Sequence, residues 1–182
     1  MGIPLDVLGI SVCSVAGTNF SPYGKLLGNE GLSIPYVLLT DLDPSTPPSR
    51  PLAASRIEEL LTIVEPGPPT AGDLATLWGR AEQYGWFINS RTLEVELFYS
   101  ALAPAIQNVL RQELSLNQQS LTRLQGWVNN PATLDRSACL TGIERVGKGR
   151  FAQRLAPNVR ADSCPEYIRR ALERIRDAVA QG

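Results

Sequence analysis

Apolar and polar positions in the first half of the chain switch between strand-like runs and helical stretches. Residues 8–17, LGISVCSVAG, alternate, carry β-branched side chains and end at glycine, so a strand is expected there. Asn19 and Ser21 offer caps for a short helix in PYGKLLG that stops at Gly28. The next apolar run, IPYVLLTDLD, is nearly continuous and turns acidic at its end, as expected of a strand buried on both faces. Strand, helix, strand in that order implies a parallel α/β core.

The segment 43–51, DPSTPPSRP, holds too many prolines for a regular element and reads as a loop directly after the acidic strand end. Loops at the carboxyl ends of parallel strands are where such sheets hold ligands. A helix is expected over 55–64, then a breaker run EPGPPTAG, then a helix over 73–84 closed by Gly85. WFINS and TLEVELFYS both read as strands, and the second would place Glu94 and Glu96 on one face, because side chains two apart in a strand point the same way. From Ala103 the pattern is helical: APAIQNVLRQEL, SLTRLQGWV, a helix over 132–145, a short stretch in GKGRFAQRL, and CPEYIRRALERIRDAVAQ with Pro165 in a first-turn position. The expected organisation is an α/β part over 1–100 and a helical subdomain over 101–182 ending in a basic helix. No internal repeat is visible.

Length and composition narrow this picture. With 182 residues and 43% hydrophobic content, the chain can bury a core for one domain, or one domain with a helical appendage. No apolar run approaches the roughly 20 residues that span a bilayer, and the opening MGIPLDVLGISVCSVAG lacks the positive start of a signal peptide, so a cytoplasmic location and no membrane partner are expected. Cys13, Cys139 and Cys164 are widely spaced, which suits reduced core thiols rather than a disulfide framework or a zinc site. Histidine is absent, so Ser-His and Cys-His catalysis and imidazole bases are excluded, and any chemistry must run on carboxylates, lysine, arginine, tyrosine or hydroxyls.

The net charge of -1 hides an uneven distribution: residues 1–135 carry 13 acidic and 7 basic groups, and residues 136–182 carry 10 basic and 5 acidic. An acidic part beside an arginine-rich part suits a metal site facing a phosphate backbone. Asp41 and Asp43, in LLTDLDPS, would stand at the mouth of the parallel sheet and offer the hard oxygen ligands that Mg²⁺ or Mn²⁺ prefers. Glu94 and Glu96 form a second acidic pair, and burying both without a cation would be costly. Lys148 is one of two lysines among 17 basic residues and is flanked by Gly147 and Gly149, with a short helical stretch, FAQRL, following it. Carboxylates holding two metals, with a lysine neutralising phosphate charge, would make a phosphodiesterase constellation of Asp41, Asp43, Glu94, Glu96 and Lys148. Arg169, Arg170 and Arg174 in the last helix, with Arg150 after Lys148, are the candidate DNA contacts. No GxxxxGK[ST] loop is present, so nucleotide binding in the P-loop manner is not expected.

VAGTNFSPYGKLLG, GLSIPYVLLTDLDP, TLEVELF, GKGRFAQRL and CPEYIRRALERI, in this order, resemble the TOPRIM region of the OLD (overcoming lysogenization defect) family nucleases over nearly the whole chain. The resemblance implies a TOPRIM-like parallel sheet core, Mg²⁺ or Mn²⁺ as cofactor, and DNA as substrate. It further implies a role in DNA processing or phage defence and an oligomeric assembly with an ABC-type ATPase domain or subunit supplied by another chain. By the same resemblance Asp41 and Asp43 match the DxD metal ligands, Glu94 and Glu96 the later acidic segment, with Asp41 and Glu94 taking part in catalysis, and Lys148 a functional lysine. The family's first strand and its EG glutamate motif have no counterpart here, which leads to the expectation of an incomplete TOPRIM domain with little cleavage by itself. Two other readings stay open at this point. One is a noncatalytic, split TOPRIM interaction module. The other is a haloacid-dehalogenase-like phosphatase, with LLTDLDPST as its DxDx[TV] motif and Ser45 in the threonine position.

Overall fold

The computed structural model describes residues 4–15, 17–43, 50–65 and 72–181. In chain order its elements are α1 (Ser21–Leu27), β1 (Leu38–Thr40), α2 (Leu52–Val64), α3 (Leu74–Gln83), β2 (Trp86–Ile88), α4 (Leu93–Phe98), α5 (Ala103–Glu113), α6 (Gln118–Asn129), α7 (Arg136–Val146), α8 (Lys148–Leu155) and α9 (Glu166–Gln181). Most of the two proline-rich loops, 44–49 and 66–71, lies outside the described residues, and with it Ser45.

Two compact units share the chain. Thr92–Pro165 is one, and Gly2–Arg91 with Glu166–Gly182 is the other. The last helix therefore folds with the sheet, where the sequence suggested a helical half running from 101 to the end.

In the sheet unit β1 and β2 run parallel and in register, Leu38 opposite Trp86, Leu39 opposite Phe87 and Thr40 opposite Ile88. Ile57, Leu60 and Leu61 recur at helical spacing in α2 and bury with Leu77 and Ala81 of α3 against Leu38 and Trp86. Asp73 caps α3 by accepting from the Thr76 amide at 2.8 Å. Gly85, at φ +81°, makes the left-handed turn from α3 into β2 that a side chain would resist. Phe87 points to the other face, where Tyr167 and Ala171 of α9 cover it. Leu39 is exposed, so β1 is not buried on both faces as expected.

The helical unit has its own core of Val95, Phe98, Leu102, Ile106, Leu110, Leu124, Trp127, Ile143, Phe151 and Leu155. Asn117 and Asp135 cap α6 and α7 through their side chains, accepting from the Ser120 and Ala138 amides. The helix expected over 132–145 resolves into a 3-10 turn, Pro131–Thr133, and α7.

Two expected strands are not strands. Residues 5–9 form turns, with Ile10 donating to the Leu5 carbonyl at 2.8 Å, and residues 10–15 have no regular structure. Val12 is 83% exposed. A strand exists only through its ladder, and among the described residues β1 and β2 pair only with each other. The segment TLEVELF forms α4 instead. Its alternation fits either period, but Val95, Phe98 and Leu102 enter the core at helical spacing, so tertiary burial decides for helix. The three thiols are free, as expected, with Cys139 buried and Cys164 partly so, and only the exposed Cys13 departs from a core position. No helix among the described residues is long and apolar enough to cross a membrane.

The helical reading of 93–98 has a direct test. Phe98→Ala should cost about 3–5 kcal/mol in denaturant unfolding, whereas Leu93→Ala, at a position 38% exposed, should stay within roughly 1 kcal/mol. A strand burying 93, 95 and 97 would instead make the Leu93 change costly.

Candidate functional site

The strand-end aspartates stand where β1 stops. Register places Asp41 one step beyond the Thr40–Ile88 pair, so the residue facing it is Asn89. The Asn89 amide nitrogen donates to Asp41 Oδ1, and its carbonyl oxygen accepts from the Leu42 amide at 2.8 Å. Asn89 is 4% exposed. Two residues on, Asp43 takes φ +46°, a left-handed conformation that aspartate and asparagine adopt more readily than most side chains. Arg56 of α2 reaches it, Nη1 donating to Oδ2 at 2.7 Å, while the Leu52 amide donates to the Asp43 carbonyl at 3.3 Å. The helix that follows the loop thus holds the second aspartate, and the neighbouring strand holds the first. Neither Asn89 nor Arg56 stood out in the sequence. Asn89 becomes visible only once the strands are paired at an offset of 48 residues.

Glu94 and Glu96 lie in the helical unit, on α4. The same-face argument for them falls with the strand: two helical positions apart is a turn of roughly 200°, so the side chains diverge. Glu94 instead meets Lys148, whose Nζ lies 2.9 Å from Glu94 Oε1, the lysine side chain 65% exposed and the glutamate's 14%. Burial pushes the Glu94 carboxyl upward, but the Lys148 hydrogen bond and charge, with the glutamate's own amide, outweigh it and hold the group below the usual carboxylate range. Lys148 is the first residue of α8, so the helix starts earlier than the FAQRL expected, and Gly147 before it has φ +89°, open to glycine. Burial first, and then the Glu94 and Asp135 charges, push the Cys139 thiol up to about 11.

Each of the four candidate DNA-contact arginines has an intramolecular partner. Arg150 and Arg154 of α8 both reach Glu113 at the end of α5, at 3.3 and 2.8 Å. Arg169 pairs with Glu166 and Glu173 along α9. Arg170 donates to Glu82 at 2.7 Å and its guanidinium sits 5.7 Å from the Phe87 ring centre. Arg174 donates to the Gln83 carbonyl at 2.7 Å, supplying an acceptor at the end of α3 with its missing partner and placing a cation at the negative helix end. Arg170 and Arg174 thereby fasten α9 to the sheet unit.

A divalent cation suits the donor chemistry of Asp41 and Asp43: hard oxygens, one beside a buried amide and one beside a guanidinium. Arg56 takes one oxygen of Asp43, and a carboxylate offers about four lone-pair sites, so ligation is compatible with that ion pair. Among the described residues, no three acidic or cysteine side chains group into a ready metal cage. A groove of about 910 Å³, lined by residues including Lys25, Tyr36, Ile63, Tyr84 and Arg174, also lies in the sheet unit, and neither Asp41 nor Asp43 lines it.

Against known proteins, a family model described as "Overcoming lysogenization defect protein-like, TOPRIM domain" matches residues 1–43, a span that ends on Asp43. The solved C-terminal region of the Xanthomonas campestris pv. campestris OLD protein, phased with mercury, is 52% identical with a TM-score of 0.86, covering 98% of this chain and 85% of that one. The C-terminal region of the Burkholderia pseudomallei OLD protein is 50% identical with a TM-score of 0.88, covering 96% and 86%. Among curated proteins, none matches the chain. Identity at this level over nearly the full length sets aside the dehalogenase-like alternative.

The thiols provide a check on the site's surroundings. At pH 8 a thiol titrating near 11 is almost wholly protonated, so a mild disulfide reagent should modify exposed Cys13 and leave Cys139 untouched until the protein is denatured. Ready modification of Cys139 in the folded chain would show that the core of the helical unit is open there.

Proposed function

The chain belongs to the OLD (overcoming lysogenization defect) family, as its TOPRIM-bearing C-terminal region, and we propose that it serves there as a divalent-metal-dependent DNA endonuclease. Its partners in this reading are DNA and an ATPase region, in an oligomeric OLD-like ATPase-nuclease working in DNA processing or phage defence. One observation carries the proposal: a DxD at the end of a parallel strand, each aspartate held by its own neighbour, in a chain that is 52% identical to an OLD C-terminal region.

Asp41 and Asp43 are assigned to Mg²⁺ or Mn²⁺ in a two-metal scheme, and either Glu94 or Glu96, which diverge on α4, is the further acidic ligand. A bound divalent ion supplies Lewis acidity, activating water and stabilising the leaving oxygen of a phosphodiester. Asn89 and Arg56 keep the two aspartates oriented toward the strand end. Lys148 contributes a compact cation for phosphate charge, released from or shared with Glu94. Arg150, Arg169, Arg170 and Arg174 are assigned to the DNA backbone. For Arg170 and Arg174 this is in addition to their contacts with Glu82 and the Gln83 carbonyl, so charge reversal there must be read together with a melting curve.

A second reading, the noncatalytic TOPRIM module, draws on the pairing of Asp43 with Arg56 and of Glu94 with Lys148, and on the lack of a three-ligand cage among the described residues. The same experiment separates the two. In a preparation that nicks supercoiled plasmid with Mn²⁺, Asp43→Asn should abolish nicking, and Lys148→Ala should lower it about 100-fold while Mn²⁺ binding by calorimetry persists. Nicking unchanged in both variants would remove the catalytic reading and leave the module.

A further inference from the structure

We infer that Asn89 is a positioning residue for the Asp41 carboxylate, an assignment that rests on the reading of Asp41 as a metal ligand. It is the residue immediately past the last registered pair of the sheet, and its side chain is almost wholly buried. Its amide is used at both ends: nitrogen to Asp41 Oδ1, oxygen to the Leu42 amide. Its own backbone amide donates to the Thr40 carbonyl at 3.3 Å, so the side chain is launched from a main chain already tied to β1. An amide is the side chain that can do both jobs at once, since aspartate in its place lacks the donor and leucine lacks both groups.

The Leu42 amide also approaches the Arg91 carbonyl at 3.2 Å, so loss of the asparagine oxygen leaves it with an acceptor. The Asp41 oxygen loses a directed donor. The group's weight therefore falls on the carboxylate more than on the turn. Partners that orient a ligand from behind are typically worth about 10 to 100-fold in metal affinity.

The test is a double-mutant cycle of Asn89→Ala and Asp41→Ala, read by calorimetric Mn²⁺ titration and by thermal unfolding of the metal-free proteins. Asn89→Ala should weaken Mn²⁺ binding by about 10 to 100-fold, and should leave unchanged whatever binding Asp43 retains in the Asp41→Ala background. The melting losses should be less than additive, because the second change removes a contact already gone. A purely structural asparagine, though coupled to Asp41 in melting by the same contact, would leave Mn²⁺ affinity within twofold of wild type, and that result would overturn the inference. Should the alanine variant fail to fold, Asn89→Ser, whose hydroxyl can still accept from the Leu42 amide, takes its place in the same cycle. If the wild-type chain binds no Mn²⁺, the ligand reading of Asp41 fails separately, and additive melting losses would show that Asn89 does not act through Asp41.

Discussion

The in-register parallel pairing of two three-residue strands is the constraint on which the candidate site depends. Leu38 opposite Trp86 fixes every later step, so Asp41 must face Asn89 and the acidic turn must emerge at the carboxyl end of the sheet. A slip of one residue would turn Trp86 and Phe87 to the wrong faces, exchanging the side buried under α2 and α3 with the side buried under α9. The hydrophobic cost of that exchange holds the register, and the register holds the aspartate. So short a sheet could not persist by its ladder alone. It depends on the helices packed on its two faces, and Arg170 and Arg174 secure one of them by contacts with Glu82 and with the open end of α3.

Charge in this protein is arranged in local pairs. Asp43 has Arg56, Glu94 has Lys148, Glu113 has Arg150 and Arg154, and Glu82 has Arg170. A carboxylate with little exposure needs such a partner, because an unpaired one is expensive to desolvate. In the proposed reading, a cation at Asp43 would meet a carboxylate already held by Arg56, and, separately, a phosphate at Lys148 would compete with Glu94.

The DxD, its position at a strand end and the short helix beside Lys148 could be read from local pattern, because apolar runs, proline breakers and flanking glycines are local signals. α2, α3, β2 and α9 were legible for the same reason. The two segments that misled, 8–17 and 92–100, carry patterns that fit more than one structure, and their outcome depends on partners: a neighbouring strand for the first, the Phe98 and Leu102 core for the second. With 92–100 went the face shared by Glu94 and Glu96, an inference about geometry that a wrong period destroys. Asn89 and Arg56 were invisible for another reason. An asparagine after a strand and an arginine in a helix are ordinary locally, and only pairing across 48 and 13 residues shows what they hold.

Anomalous diffraction from crystals grown with Mn²⁺ bears most directly on the claim that the strand end is a metal centre. A manganese peak bonded to carboxylate oxygens of Asp41 and Asp43 is expected, with Asn89 still donating to Asp41 and Arg56 still on Asp43. A fully occupied peak on other residues, with none at this pair, would contradict it.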